Sequence, residues 1–139
     1  MDLDQEFIDE FGKLSAIIQN NELQGKIQMF FRLIKPRVTQ NEMAERFGVR
    51  NADINDAMEN FKILDVVEET EEGGLITYVF KGYSAEIKDI ASLFPERQKQ
   101  LEASVEVLEQ LIKRARAEGQ KVDNHLSVVR SIKEDFGIR

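Results

Sequence analysis

Cysteine is absent from this 139-residue chain, which excludes disulfides, cysteine–zinc centres and thiol nucleophiles. Tryptophan is absent too, and His125 is the sole histidine. A lone histidine near Asp123, with Ser127 on a different helix face, makes neither a catalytic triad nor a metal site. It reads as a surface residue near a helix start. No glycine run can cradle a phosphate, because Gly73-Gly74 stands where a hairpin would turn. No uninterrupted apolar run approaches the ~20 residues of a membrane span. Met1 to Phe11 is acidic and lacks the basic and apolar regions of a secretory signal. These absences leave no catalytic constellation, no metal and no cofactor to expect. They also point away from the membrane and toward the cytoplasm.

What remains is the composition of an ordinary globular protein, 42% hydrophobic and 32% charged. The length suits one domain, with room for a helical appendage. The net charge of −7 is uneven: residues 1–95 carry 10 Lys/Arg against 18 Asp/Glu, and residues 96–139 carry 9 against 8. An acidic body is a poor non-specific match to a polyanion. A local basic face stays open.

Phe7, Ile8, Phe11, Leu14 and Ile18 recur at helical spacing within Asp4–Gln19. Asn21 is placed to cap a second helix running through Ile34, which Pro36 stops. Thr39-Gln40-Asn41-Glu42 is a capping box opening a short helix, and Gly48 ends it. A further helix is expected over Asn51–Lys62, with Asn51 a candidate cap. Leu64–Val67 is expected as a strand, Glu71-Glu72-Gly73-Gly74 as a turn and Leu75–Phe80 as the return strand. Beyond Gly82, Leu101, Val105, Leu108 and Ile112 form a heptad seam. Gly119-Gln120-Lys121 is a break, and Val122, Leu126, Val129, Ile132 and Phe136 mark a final amphipathic helix. The small basic cluster Lys113, Arg114 and Arg116 reads as a solvated face.

The segment from Arg37 to Lys81 has the pattern of a winged helix-turn-helix. Two helices crossing at a tight turn need a small residue at the crossing, a glycine at the turn and an apolar plug after it. Ala44, Gly48 and Val49 fit those places, with Met43, Phe47, Ile54 and Ala57 facing inward. The hairpin that follows would be the wing. The expected fold is mainly α with a small β-hairpin wing. Residues 1–20 make an N-terminal helix, 21–82 the winged motif and 83–139 a C-terminal helical region.

The whole chain resembles the MarR-like superfamily, most closely its GbsR-like branch. The likeness runs through EFIDEFGKL at residues 6–14 and TQNEMAERFGVRNADINDAMENFKILDVV at residues 39–67. It implies a homodimeric transcriptional regulator whose second motif helix enters the major groove and whose terminal helices pair. It also implies a small-molecule effector bound between the DNA-binding and dimer helices. The family core commonly reads glycine–apolar–serine followed by a polar stretch with arginines. Here Arg50-Asn51-Ala52-Asp53 stands in that place.

In such a motif the exposed start of the second helix reaches base edges. Arg50 suits guanine or a phosphate, Asn51 and Asn55 suit adenine, and Ala52 suits a thymine methyl. Lys35, Arg37, Thr39, Gln40 and Arg46 are expected to contact the DNA backbone. Asp53, Asp56 and Glu59 share the second helix, and Glu68, Glu69, Glu71 and Glu72 lie on the wing. The wing charge sets the rival expectation, an acidic winged-helix module that binds a basic protein partner and no DNA. The seam Leu101, Val105, Leu108 and Ile112, with Leu126, Val129, Ile132 and Phe136, either packs onto the chain's own N-terminal helices or meets a second copy. Long apolar stripes need cover, and a homodimer interface is the expected use.

Overall fold

The Asp2 side chain accepts the Gln5 amide at 3.1 Å and opens helix α1, Leu3–Gln19. The structure, a computed structural model, describes residues 1–85, 88 and 94–139. Asn20 turns left-handed after α1, and Asn21 caps α2, Glu22–Leu33, by accepting the Gln24 amide at 3.0 Å. Strand β1, Arg37–Thr39, leads into α3, Gln40–Phe47. The capping box forms there, with the Glu42 amide donating to Thr39 Oγ1 at 3.1 Å. Gly48, at φ 65°, ends α3, and α4 spans Asn51–Ile63.

Strands β2, Val67–Glu72, and β3, Leu75–Phe80, form the wing. Glu72 pairs with Leu75, so the turn is Gly73-Gly74 alone. Both glycines have positive φ, 57° and 81°, as a two-residue hairpin turn of matching twist requires. β1 adds antiparallel to the other edge of β3, giving the sheet order β1-β3-β2.

The wing departs from the sequence expectation at both ends. Leu64–Val66 is not strand but the terminus of α4. Asp65 is left-handed at φ 57°, and the Val66 amide donates to the Phe61 carbonyl at 2.8 Å, the closure that satisfies a helix C-terminus. Glu71 and Glu72 are strand rather than turn. The three-residue β1 is too short to give any alternation signal.

The C-terminal helices are α5, Pro95–Ala117, and α6, Asp123–Phe136. α5 lies along α1, and Ser104 Oγ donates to Glu10 Oε1 at 3.1 Å. The seam is covered within the chain: Leu101, Val105, Leu108, Ile112, Val129 and Ile132 are buried, and Leu126 and Phe136 pack against the same core. The six buried residues are covered by the protomer itself, whereas Leu126 and Phe136 keep part of their surface exposed. α6 returns against α5 and α2. Arg32, whose side chain is 4% exposed, bonds Asp135 at 2.7 Å and lies over the rings of Phe80 and Tyr83. Among the described residues no helix is long and apolar enough to cross a membrane.

The α1–α2 pair sets the frame. A Cβ on Gly25 would stand 2.1 Å from the Phe11 carbonyl oxygen and 2.5 Å from Ser15 Cβ. Backbone cannot yield to that contact, so only glycine permits this approach. At Gly12 an added Cβ would meet the Lys26 stem at 2.9 Å, and a lysine stem moves aside. Gly25→Ala should therefore destabilise the fold by about 3 kcal/mol. Gly12→Ala should stay within about 1 kcal/mol of the parent, since alanine favours helix. Urea midpoints of the two variants check the contrast.

Candidate nucleic-acid interface

Helical periodicity divides α4 into two faces. Ile54, Ala57, Met58 and Phe61 are buried against the core that Met43 and Ala44 of α3 share. Arg50, Asn51, Ala52, Asp56 and Glu59 are exposed and Asn55 is half-buried. Arg50, Asn51 and Ala52 are therefore consecutive at the surface where α4 starts. Asn51 is the first helical residue rather than the cap. Its Nδ2 donates to Asn41 Oδ1 at 2.9 Å, tying the start of α4 to α3.

The cap position falls to Arg50. Its backbone amide donates to Asp53 Oδ2 at 3.0 Å, and its guanidinium bonds the same carboxylate through Nε and Nη2. The Arg50 guanidinium and the backbone amide hold the Asp53 carboxyl below its ordinary pKa.

The expected backbone contacts divide. Arg37 is exposed on edge strand β1 and has no ion-pair partner among the described residues. Arg46 is exposed and its Nη2 donates to Gln5 Oε1 of α1 at 3.1 Å. Lys35 pairs with Glu42, and this hydrogen bond draws the Glu42 carboxyl below its ordinary pKa. The Thr39 hydroxyl serves as the α3 cap. Gln40 is the clear departure from expectation. It is 9% exposed, and its Nε2 donates to the buried Tyr78 hydroxyl at 2.9 Å. Burial and the Tyr78 partner take it out of reach of DNA; its work is to join α3 to β3.

The wing keeps its negative charge. Glu68, Glu71 and Glu72 are exposed on β2 with no ion-pair partner among the described residues. Glu69 is partly offset by Lys62 Nζ at 3.3 Å, which also reaches Glu59 at 3.3 Å. Lys81 is engaged with Asp65 at 2.7 Å, at the base of the hairpin.

A cavity of about 350 Å³ lies between the end of α4 and the helices α1, α2 and α5. Phe11, Leu14, Phe61 and Leu101 give it apolar walls, and Gln24, Gln28, Tyr83 and Arg97 add polar groups. Gln24 Oε1 is buried without a hydrogen-bond partner among the described residues. No single sequence motif announces this space, because separated segments of the chain wall it.

His125 is not the surface residue its sequence context suggests. Its side chain is 11% exposed, bonds Asp4 at 2.7 Å and meets the Phe7 ring edge-on at 5.0 Å. Long-range packing of α6 on α1 buries it, a contact between positions 121 residues apart.

No protein-family model matches the chain, and no curated protein matches it by sequence. A solved structure described as a transcriptional regulator shares its fold, with a TM-score of 0.55. The two are 14% identical over 96% of this chain and 95% of that one. The chain therefore has a winged-helix fold, mainly helical with a small three-stranded sheet.

Beside the cavity, Gln28 Nε2 donates to the Tyr83 hydroxyl, and burial pushes the Tyr83 phenol up to about 12. In the unfolded chain a tyrosine ionises near ~10. The folded state then holds a proton that the unfolded state releases, so this contribution is intact below pH ~10 and is lost as pH rises toward 12. Tyr83→Phe should flatten the fall in stability over that window, as read by urea midpoints against pH.

Proposed function

We propose that this protein is a DNA-binding transcriptional regulator that works as a homodimer, in the manner of the MarR-like group it resembles. The observation that carries the reading is the exposed start of α4. Arg50, Asn51 and Ala52 are exposed on one helix end, with Asn55 beside them, the part of the motif that enters a major groove. Arg37 and Arg46 flank it as phosphate contacts, and the near full-length likeness to a transcriptional regulator supports the same use. Lys35 and Thr39 contribute less, being paired with Glu42 and used as a helix cap.

The rival reading, an acidic module that docks a basic protein, rests on Glu68, Glu71 and Glu72 standing exposed on β2. Salt separates the two. DNA affinity should fall with a log–log slope of about −0.9 for each phosphate neutralised. Arg50→Ala should weaken a selected duplex by about tenfold or more, and Glu71→Lys/Glu72→Lys should tighten it. Fluorescence anisotropy against a pool-selected duplex reads all three. Absence of low-salt affinity for any duplex would sink the regulator reading and leave the acidic module.

For the dimer we propose the outer face of α5. Ala103 and Val107 are exposed and Leu111 half-buried, spaced by four along the helix on the flank of the buried seam. Glu102 and Glu106 lie toward one end of this stripe and Lys113 and Arg114 toward the other. An antiparallel copy would set each acidic end against a basic one, the complementarity that orients an interface. Val107→Glu should raise the dimer dissociation constant by about tenfold, as measured by sedimentation equilibrium. An unchanged constant would remove this face from the interface. The cavity beside α4 supports an effector as well: a small, largely apolar molecule there would press on Phe61 and Leu64 and so bear on the set of α4.

A further inference from the structure

Asp53 places a negative charge at the helix end that should approach DNA, and on charge alone it counts against binding. Its contacts say otherwise. Oδ2 accepts from the Arg50 backbone amide at 3.0 Å and from Arg50 Nε at 3.2 Å, and Oδ1 accepts from Arg50 Nη2 at 3.0 Å. One carboxylate thus grips the side edge of the guanidinium with both oxygens, while the backbone contact anchors it to the first turn of α4. Arg50 is nevertheless 82% exposed at its side chain. The end of the guanidinium, Nη1 together with the remaining hydrogen of Nη2, has no acceptor among the described residues.

We infer that Asp53 is a positioning residue that makes Arg50 a reader of one guanine rather than a phosphate anchor. The inference rests on the DNA-binding reading above and assigns the chemistry of its central contact. A phosphate is drawn by net charge, and a guanidinium paired to a carboxylate offers little. Guanine is different. Its O6 and N7 are neutral acceptors spaced for a two-donor fork, and the free end of Arg50 presents two donors. Because the carboxylate already fixes the arginine rotamer, less side-chain freedom is lost when the base is met. The same negative charge repels a misplaced phosphate, so it selects against the wrong register as well as supporting the right one.

The test uses the full chain and a duplex selected by it from a random pool at about 50 mM salt. Each guanine is replaced in turn by 7-deazaguanine, which lacks the N7 acceptor. One guanine per half-site should stand out, its replacement weakening the native protein by about tenfold. Asp53→Asn keeps an oxygen for the Arg50 amide, preserving the cap, but loses the charged two-oxygen grip. It should reduce that sensitivity to about twofold or less and steepen the log-affinity against log-salt slope by about one phosphate. Its affinity for unrelated duplex should rise. The modified-duplex measurement on native protein guards against a variant that folds poorly. A native protein that binds duplex with no N7-sensitive guanine overturns the positioning role and leaves DNA binding standing. So does an Asp53→Asn variant with unchanged discrimination and slope. A native protein that binds no duplex overturns both.

Discussion

The close approach of α1 to α2, which the missing side chain of Gly25 permits, is the constraint on which the remaining arrangement depends. α1 carries Phe7, Ile8, Phe11 and Leu14 into the core and is covered by α2 on one side and α5 on another. With α1 held this way, the seam of α5 has a ready partner in its own chain, and Val105 and Leu108 are buried without help from a second copy. α6 then folds back over the same layer, where Arg32 of α2 meets Asp135 and the rings of Phe80 and Tyr83. The C-terminal helices therefore brace the winged motif from behind, and buried residues from Leu3 to Ile132 belong to one apolar cluster. A buried ion pair is weak evidence for stability by itself. Here its position matters more, because it joins α2, the end of β3 and α6 at one point.

Local grammar is readable wherever a signal is carried within a few residues. Asn21 and the Thr39–Glu42 box cap neighbouring amides with their side chains, Gly48 and Gly73-Gly74 act through their own backbones, and each is found in the role its sequence suggests. The heptad seam is readable as apolar, but not as to its partner. Spacing says which face of a helix seeks cover, and only tertiary packing says what covers it. The same limit explains Gln40 and His125. A polar residue at a helix start looks solvent-bound in sequence, whereas Tyr78 and Asp4, distant in the chain, draw these two inside. The strand boundary escapes the sequence for a local reason: the left-handed Asp65 ends α4 with a non-glycine residue, a rarer closure than the sequence pattern favours.

The sequence places the candidate residues on their elements, but not the contacts they make there. Arg50, Asn51, Ala52 and Asn55 stand at the start of α4, where the sequence spacing puts them, and Arg37 and Arg46 are exposed on β1 and α3. Charge counting makes Asp53 a simple opponent of Arg50. Its position three residues on, at the third place of the helix, is the one from which a carboxylate can meet both the cap amide and the cap side chain. The spacing is visible in the sequence; the double contact is not.

An acidic winged helix faces a particular physical choice. With a net charge of −7 and three wing glutamates lacking a cationic partner among the described residues, it draws little affinity from phosphates in general. Lys35 and Arg50, cations beside the motif, are each held by a carboxylate. On the DNA-binding reading proposed above, such a surface would bind unrelated DNA poorly, with Arg37 and Arg46 as its phosphate contacts, and the larger share of affinity would come from contacts that depend on base identity. That is a route to selectivity by weakening the wrong complex rather than strengthening the right one. The wing belongs to the same logic. On the same proposed reading it would stand away from the duplex, and Glu68, Glu71 and Glu72 would disfavour any register that brings β2 against the backbone.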